Sequence, residues 1–218
     1  MASVSTNSVK YKANCKKCTR LADFLALSKK KYPDYFCKPV PSFGDPKAKF
    51  LIVGLAPGMH GANATGRPFT GDYAGILLYQ TLHKFGFANK AVSKSTDDSL
   101  KLTNCRITNA VKCVPPANKP TTEEIKICST YLKNELQELK PGNVILALGK
   151  IAHDSVLRSF DLKLSQFPFG HETIYQVGKQ LNLVSSYHCS RYNTQTKRLT
   201  EKQFEQVFMK VKKILAKN

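Results

Sequence analysis

A glycine-rich segment at residues 54–72 has the residue types and spacing of a binding or catalytic loop. It follows an apolar run at residues 50–53 and precedes a helical apolar pattern at residues 73–82. Ordinary connections between strands and helices run about 2–6 residues, so this segment is long for a simple turn. Glycine loses more backbone entropy on folding than any other residue, which makes such a loop costly unless its backbone must approach a ligand. The segment therefore predicts a ligand site just after the first buried strand.

This segment matches neither of the common phosphate-binding loops. A P-loop ends in Gly-Lys followed by Ser or Thr, so that the lysine and the hydroxyl reach the phosphates and the magnesium ion, and the segment lacks that ending. The dinucleotide-binding fingerprint needs glycines spaced as G-x-G-x-x-G, and the glycines here fall at other intervals. Both motifs are therefore excluded as the explanation of the loop.

The segment resembles the first motif of the uracil-DNA glycosylase superfamily, in the form seen in its family 5 (type B) members. The matching letters are Gly-Leu-Ala-Pro at residues 54–57, Gly-x-Asn at residues 61–63 and Thr-Gly-Arg-Pro-Phe-Thr-Gly-Asp at residues 65–72. Residues 185–194 resemble the second motif, usually His-Pro-Ser, although Cys189 stands where proline is common. The resemblance implies a DNA repair enzyme that flips uracil, and further deaminated bases such as hypoxanthine or xanthine, and hydrolyses the glycosidic bond to leave an abasic site.

Such a hydrolysis builds positive charge on the sugar and negative charge on the base, so the site needs a stacking surface, donors for base oxygens and a placed water. Phe69 offers a stacking face, and Asn109 combines a donor and an acceptor that suit the O4 and N3–H edge of uracil. The resemblance implies these two roles, and it makes His188 the donor to O2 of the base. The structural alternatives are packing of Phe69 beneath the next helix and a strand-end role for Asn109. Three small residues are expected to line the same pocket: Gly54, Ala56 and Gly58.

The residue that places the attacking water is left open by the sequence. Other families of the resembled superfamily keep Asp, Asn or Glu where this chain has Ala56, whose methyl group cannot orient water. Asn63 and Asp72 are the nearby polar candidates for this catalytic role, and His60 is a third. Because the leaving base is a fair anion and DNA phosphates stabilise a cationic sugar, a strong general base is not required.

The charge balance predicts a polyanionic partner. The chain has 34 Lys and Arg against 15 Asp and Glu, a net charge of +19, and nucleic acid is the polyanion that also explains the glycine-rich loop. The resemblance implies damaged, uracil-containing DNA. It also implies that Arg191 or Tyr192 enters the hole left by the flipped base, while Lys197 and Arg198 contact phosphates. The alternative is a solvated charge cluster in a loop.

Four of the seven cysteines are spaced as ligands of a metal centre. Cys15 and Cys18 form a C-x-x-C pair, and Cys113 and Cys128 form a second pair far downstream. Zinc and a [4Fe–4S] cluster would both accept four thiolates, and buried free thiols are a further alternative. The pattern resembles that of glycosylase families 4 and 5, which implies a [4Fe–4S] cluster, here expected to be structural. The remaining cysteines have no expected role in the site: Cys37, Cys105 and Cys189.

Alternating apolar runs and helical patterns must position these residues. Strands buried on both faces are predicted at residues 50–55, 105–111, 144–148 and 181–187. Helices are predicted at residues 73–82, 121–139, 150–160 and 200–217, and residues 87–104 are polar and predict a surface loop. The alternation predicts an α/β fold, a three-layer α/β/α domain with a central four-stranded parallel sheet, and the resemblance implies the same architecture.

Ligands of such a sheet bind beyond the carboxyl ends of its strands. The three unusual segments, at residues 54–72, 112–120 and 188–198, each follow a predicted strand at that edge. They are therefore predicted to meet in one site.

The whole chain, residues 1–218, is expected to form one domain with a flexible tail at residues 1–12. No apolar run approaches the ~20 residues of a membrane span, and the N-terminus lacks a signal-peptide core. We therefore expect a cytoplasmic monomer without membrane contact. Two rival functions remain at this stage: a non-enzymatic iron–sulfur nucleic-acid-binding module of the same fold, and a zinc-bound structural adaptor.

Overall fold

The structure, a computed structural model, describes residues 11–217. Its strands are β1 (Phe43–Gly44), β2 (Phe50–Gly54), β3 (Cys105–Asn109), β4 (Val144–Leu148), β5 (Ile174–Val177) and β6 (Leu181–Ser186). Its helices are α1 (Thr19–Lys31), α2 (Ala62–Thr65), α3 (Tyr73–Lys84), α4 (Thr122–Gln137), α5 (Lys150–Ser159), α6 (Arg191–Gln195) and α7 (Glu201–Leu215). Two short 3₁₀ turns, Pro116–Asn118 and Leu164–Gln166, lie in the connections after β3 and α5.

A six-stranded sheet with the strand order β1-β3-β2-β4-β6-β5 forms the centre of the fold. The four inner strands are parallel, and the edge strands β1 and β5 run antiparallel to their neighbours. The predicted four parallel strands are confirmed, but the sheet is larger than predicted. The edges escape the sequence analysis because β1 has only two residues and most of β5 is not buried. Neither strand therefore has the continuous apolar run of a strand buried on both faces.

Helices cover both faces of this sheet, which confirms the three-layer α/β/α architecture. Successive residues of a strand point to opposite faces. Phe50 and Ile52 of β2 pack in the core cluster that contains α3 and α7, whereas Leu51 and Val53 pack in the cluster that contains α4 and α5. The apolar stripe predicted for α7 is fully buried in the first cluster: Phe204, Val207, Phe208 and Val211.

Side-chain caps fix where the helices around the sheet begin. Thr121 forms a capping box with its third following residue at the start of α4, and Thr200 does the same at the start of α7, both as predicted. Asp72 caps α3, because its Oδ1 accepts a hydrogen bond of 2.8 Å from the backbone N–H of Gly75. The helix after the glycine-rich segment therefore begins at a residue that the sequence analysis nominates for catalysis.

The N-terminal part of the described chain contains a helix that the sequence analysis does not predict. Helix α1 buries only Leu21, Leu25 and Ser28, so its apolar pattern is weak. Most of the predicted tail, residues 1–10, lies outside the described residues, and Tyr11 donates a hydrogen bond to the carbonyl oxygen of Pro39. Among residues 11–217, no helix has the length and hydropathy needed to cross a membrane.

Residues 87–104 connect α3 to β3 almost without regular structure, which agrees with the predicted loop. An isolated antiparallel bridge joins Ala88 to Leu102 at the base of this loop. Near the tip, the carboxylate of Asp98 accepts two hydrogen bonds from the buried guanidinium of Arg67, at 3.0 and 2.6 Å. The loop is therefore fastened to the glycine-rich segment.

Candidate active site at the carboxyl edge of the sheet

A cavity of about 240 Å³ opens at the carboxyl edge of the parallel strands. Its lining comes mainly from the three segments that the sequence predicts to meet, with Asn109 at the end of β3 and Ala74 in α3 added to them. The lining residues are Leu55, Ala56, Pro57, Gly58, Ala62, Phe69, Asp72, Ala74, Asn109, Asn118, His188 and Ser190. We call this cavity the base pocket. Phe69, Asn109 and His188 thus face one small space.

Phe69 forms one wall of the base pocket and also packs in the core. Its ring lies 5.9 Å from the imidazole of His188, centroid to centroid, with an interplanar angle of 28°. Its backbone has a positive φ of 55°, and a Cβ on Gly75 would lie only 1.8 Å from its carbonyl oxygen. Helix α3 can therefore approach Phe69 this closely only because Gly75 has no side chain. Phe69 therefore does both things that the sequence analysis considers: it packs beneath α3, and its ring also faces the base pocket.

Asn109 stands at the end of β3, paired in register with Gly54 at the end of β2. A Cβ on Gly54 would lie 2.4 Å from Asn109 Oδ1 and 2.8 Å from Phe69 Cζ, so this position requires glycine. Asn109 Oδ1 is buried and has no hydrogen-bond partner among residues 11–217. A buried acceptor without a partner costs about 1–3 kcal/mol, and a ligand with a matching donor would remove that cost.

His188 follows β6 and presents a neutral imidazole to the base pocket. Burial lowers the pKa of His188 to about 4, so the ring carries no charge at pH 7. A neutral imidazole has one N–H donor and one acceptor nitrogen. The backbone carbonyl oxygen of His188 accepts a hydrogen bond of 2.8 Å from the Asn193 side chain, which ties the residue to α6. His188 can therefore donate to an uncharged or anionic group without first binding a proton.

The two polar candidates for water placement occupy different environments. Asp72 lines the base pocket, and burial raises its pKa while hydrogen bonds from the N–H groups of Gly75 and Ala74 oppose that rise. A Cβ on Gly61 would lie 2.7 Å from Asp72 Oδ2, so a glycine makes room for this oxygen. Asn63, in contrast, is fully buried and does not line the pocket.

The amide of Asn63 turns toward the protein interior. Its Nδ2 lies 3.5 Å from Cys37 Sγ and 3.5 Å from the carbonyl oxygen of Met59, and its Oδ1 has no partner among the described residues. His60 also stays outside the pocket lining, exposed, with Nδ1 2.9 Å from the Tyr35 hydroxyl. Of the three sequence candidates for the water, the structure brings Asp72 alone to the base pocket.

The four residues predicted to contact DNA lie on or just after α6, at the rim beside His188. Arg191 lies with its guanidinium carbon 5.8 Å from the centre of the Tyr73 ring, and Tyr192 is largely exposed. Arg198 lies 4.5 Å from the centre of the Tyr187 ring, while Lys197 is exposed at a positive φ of 55°. All four side chains are therefore exposed on the surface, and none of them lines the base pocket.

Cys189, which replaces the usual proline of the second motif, is fully buried in the main core. Burial raises the pKa of its thiol, so the side chain stays protonated and uncharged. A free buried cysteine behaves as a small apolar residue. A proline at this position would restrain the loop after β6 by fixing its backbone angle. Here the buried Cys189 side chain restrains the same loop by packing in the core.

The sequence analysis misses Asn118 and Ser190, which also line the base pocket. Asn118 lies in the 3₁₀ turn after β3 with a positive φ of 55°. Ser190 caps α6, with its Oγ accepting from the N–H of Asn193 at 3.4 Å. Two features of the sequence could have identified these residues. Asn118 lies in the unusual segment at residues 112–120, and Ser190 is a residue type that favours the first position before a helix.

The four cysteines of the predicted metal centre meet at a second place, away from the base pocket. Cys15, Cys18, Cys113 and Cys128 line one cavity beneath α1 and α4, and they belong to one apolar cluster. Burial and the neighbouring thiols raise the pKa of Cys18 to about 11 and that of Cys113 to about 12. Among residues 11–217, no group of three or more His, Cys, Asp or Glu side chains is arranged to hold a metal ion.

Comparisons with known proteins agree on one family. The sequence model of the uracil DNA glycosylase superfamily matches residues 41–212. The type-5 uracil-DNA glycosylase of Thermus thermophilus is 47% identical over 180 residues, covering 83% of this chain and 82% of that protein. The type-5 uracil-DNA glycosylase of Pyrobaculum aerophilum is 40% identical over 191 residues, covering 86% of this chain and 83% of that protein.

A type-4 relative is less similar. The type-4 uracil-DNA glycosylase of Archaeoglobus fulgidus is 33% identical over 174 residues, covering 77% of this chain and 79% of that protein. The region matched by the superfamily model begins before β1 and ends within α7, so it contains all the strands around the base pocket.

Proposed function

The chain belongs to the uracil-DNA glycosylase superfamily and hydrolyses the N-glycosidic bond of uracil in DNA, and we propose that the base pocket carries out this reaction. The observation that supports the pocket is the meeting of Phe69, Asn109 and His188 around one cavity of about 240 Å³. These residues come from three segments distant in sequence. A stacking face, an amide and a neutral imidazole are the groups that a flipped uracil needs.

Uracil enters the pocket extruded from the DNA stack, and Phe69 stacks against its ring. Asn109 hydrogen-bonds to the O4 and N3–H edge, which is the edge that distinguishes uracil from cytosine. The unpaired buried Oδ1 of Asn109 supports this role, because the N3–H group of the base is a matching donor. The amide therefore selects the base at the same time as it holds it.

As the glycosidic bond breaks, negative charge moves onto the base oxygens. His188 donates its N–H to O2 of the departing base, and the lowered pKa keeps the imidazole neutral at pH 7. A donor aimed at developing charge in a partly dry site contributes about 10²–10³ in rate. The imidazole thus stabilises the transition state without protonating the base in advance.

We assign placement of the attacking water to Asp72 and not to Asn63. Asp72 lines the pocket, and its hydrogen bond to the N–H of Gly75 fixes the carboxylate at the start of α3. The second oxygen, Oδ2, remains to accept a hydrogen bond from water. Ala56 in the same pocket contributes only a methyl group, so it leaves space and no polar contact.

DNA reaches the pocket along the basic rim. Arg191 or Tyr192 fills the gap left by the flipped nucleotide, and Lys197 and Arg198 contact phosphates. The net charge of +19 supports a polyanionic partner. No lysine lines the base pocket in the described part of the chain, which supports simple hydrolysis to an abasic site without a Schiff base.

A [4Fe–4S] cluster is the proposed cofactor, held by Cys15, Cys18, Cys113 and Cys128. The supporting observations are that the four thiols line one cavity and that their spacing resembles the cysteine pattern of glycosylase families 4 and 5. The cluster would supply a cross-link between the segment before α1 and the segment around α4.

The experiment that tests the activity uses oligonucleotides with one uracil, both single-stranded and in a duplex, and matched oligonucleotides with thymine in its place. The uracil strand should break only after alkali treatment, and the thymine strand should stay intact. Binding to both strands with no cleavage would instead favour a non-enzymatic DNA-binding module. Strands with hypoxanthine or xanthine test the proposed wider range, which the small side chains at Ala56 and Gly58 support by leaving room for larger bases.

Two further proposals concern the state of the protein in the cell. We propose that it acts as a monomer and in the cytoplasm. Light scattering on the purified protein, with and without DNA, tests the first, and fractionation of cells tests the second. Iron and zinc analysis on the same preparation distinguishes the cluster from a zinc centre.

A further inference from the structure

Tyr131 lies one turn after Cys128 on the buried face of α4, so the two side chains are neighbours on that helix. Both belong to the small apolar cluster around the four cysteines of the proposed metal centre. We call the cavity that Cys15, Cys18, Cys113 and Cys128 line the cysteine cavity, and Tyr131 lines it with them. Neither the reaction proposed for the base pocket nor the proposed set of ligands uses this tyrosine.

The hydroxyl of Tyr131 is a buried polar group without a hydrogen-bond partner among residues 11–217. The residue is only 4% exposed, so the hydroxyl has left bulk solvent without gaining a partner in the protein. Its electrostatic interactions involve three of the four cysteines: Cys15, Cys128 and Cys113. Buried polar groups in proteins are nearly always hydrogen-bonded, and a tyrosine hydroxyl is protonated at pH 7. The orphaned group is therefore a donor placed beside sulfur atoms.

A negatively charged group in the cysteine cavity needs such donors, because burial of charge is costly unless hydrogen bonds compensate it. One donor is already in place, since the backbone N–H of Lys112 donates to Cys128 Sγ at 3.3 Å. The Lys112 ammonium is engaged elsewhere, 3.1 Å from a carboxylate oxygen of Glu135. Lys12 and Lys17 also line the cavity, but both are exposed to solvent. Among the described residues that line the cavity, the unengaged buried side-chain donor is thus the hydroxyl on α4.

We propose that the Tyr131 hydroxyl donates a hydrogen bond to a sulfur atom of the bound iron–sulfur cluster, either a sulfide or the thiolate of Cys15. This inference rests on the [4Fe–4S] cofactor proposed above. A donor without a protein acceptor, in a cavity lined by four thiols, fits a group whose surface consists of sulfur acceptors. Tyr131 is then a positioning residue of the cofactor and not one of its ligands.

Such a hydrogen bond favours the reduced cluster over the oxidised one. Uptake of one electron from an external donor adds one negative charge to the cluster and breaks no bond to its ligands. A donor directed at sulfur stabilises the more negative state, and hydrogen bonds to the sulfur atoms are among the factors that set the reduction potential of these clusters. Tyr131 therefore raises the potential and slows the loss of iron.

The test is Tyr131→Phe, which removes the hydroxyl and keeps the ring. A one-electron redox titration of the purified iron-loaded protein, with chemical mediators and visible absorbance as the signal, measures the potential. The ratio of reduced to oxidised cluster at a given potential should fall about tenfold, which is a shift of about 59 mV to lower potential. Release of iron to an added chelator should be several times faster. Cleavage of uracil strands per iron-loaded molecule should stay at the wild-type rate, because Tyr131 does not line the base pocket.

Tyr79→Phe is the matched control. Tyr79 is also fully buried, but it packs in the main core and its hydroxyl donates to the carbonyl oxygen of Pro68 at 2.8 Å. Loss of that hydrogen bond should lower the stability of the fold and leave the reduction potential unchanged. The pair of variants therefore separates an effect on the cluster from a general effect of removing a buried hydroxyl.

The outcomes distinguish this inference from the proposed cofactor. Equal potentials for the wild type and Tyr131→Phe, with a full complement of iron in both, would overturn the inference and leave the cofactor in place. An equal fall in potential for Tyr79→Phe would overturn it as well, since the change would then be unspecific. A wild type that contains zinc and no iron would instead overturn the proposed cofactor, which metal analysis of the same preparation shows before any titration.

Discussion

The base pocket and the cysteine cavity are built by different means. The pocket takes its shape from backbone: the missing Cβ atoms of Gly54 and Gly75, the positive φ of Phe69 and the cap at Asp72 fix its walls without any ligand. The cysteine cavity is surrounded by a small apolar cluster, and burial raises the pKa of the Cys18 and Cys113 thiols. The protein alone determines the shape of the base pocket, whereas we propose that a bound cluster determines the shape of the cysteine cavity. Substitutions in the two places should therefore have opposite signatures.

The largest expected effect belongs to the pocket. Asn109→Ala and His188→Ala should each lower kcat by about 10²–10³, because each removes a hydrogen bond to the departing base. Stability should not fall with Asn109→Ala, since the lost Oδ1 is a buried acceptor without a partner among the described residues. Single-turnover kinetics and thermal unfolding measure the two properties. Equal losses in DNA affinity and in rate would show that these residues position DNA and do not act on the base.

The cysteine cavity should respond in the opposite way. Cys113→Ser should lose the bound iron and lower the free energy of unfolding by about 3 kcal/mol, because the cross-link to the N-terminal segment disappears. The rate per folded molecule should change little. Iron analysis and denaturant unfolding provide the measurement, with Cys37→Ser as the control that keeps its iron. A loss of rate without a loss of stability would place the cluster in the reaction.

A smaller effect separates two residues of the glycine-rich segment. Asp72→Asn keeps a capping side chain for α3 but removes the charge beside the water, so kcat should fall roughly tenfold to a hundredfold. Asn63→Ala should leave kcat within about twofold, because Asn63 does not line the pocket, and should act on stability instead. The two variants are compared under single-turnover conditions. A larger loss of kcat for Asn63→Ala than for Asp72→Asn would show that Asn63, and not Asp72, places the attacking water.

The smallest effect is a dependence of stability on pH. The pKa of His188 is lowered to about 4 by burial, against about 6.5 in the unfolded chain, so the unfolded state binds more protons between these values. The contribution of His188 to stability is therefore nearly complete above about pH 7 and falls by about 1–2 kcal/mol between pH 7 and pH 5. Denaturant unfolding of the wild type and of His188→Asn checks this. Parallel pH curves for the two proteins would show that the imidazole is not buried.

Much of this molecule could be predicted from local patterns. The four parallel strands and the two capping boxes follow from apolar runs and from Thr-x-x-Glu and Thr-x-x-Gln spacing, which depend on neighbouring residues. The edge strands could not be predicted, because an edge strand is exposed and its pairing partner supplies the missing information. Helix α1 was not predicted for a related reason: only a few of its residues are buried, so its sequence lacks a clear apolar pattern.

The candidate site, too, was predictable in part from local sequence and in part only from the tertiary structure. Residue types and spacing in the sequence determined that an aromatic ring, an amide and an imidazole follow three parallel strands, and so meet at one edge of a sheet. Only the tertiary structure decided that Asp72 faces the base pocket while Asn63 turns inward, and that Cys189 packs in the core. The physical reason is that these outcomes depend on contacts between segments far apart in the chain, such as Arg67 with Asp98. Local sequence patterns carry no information about those contacts.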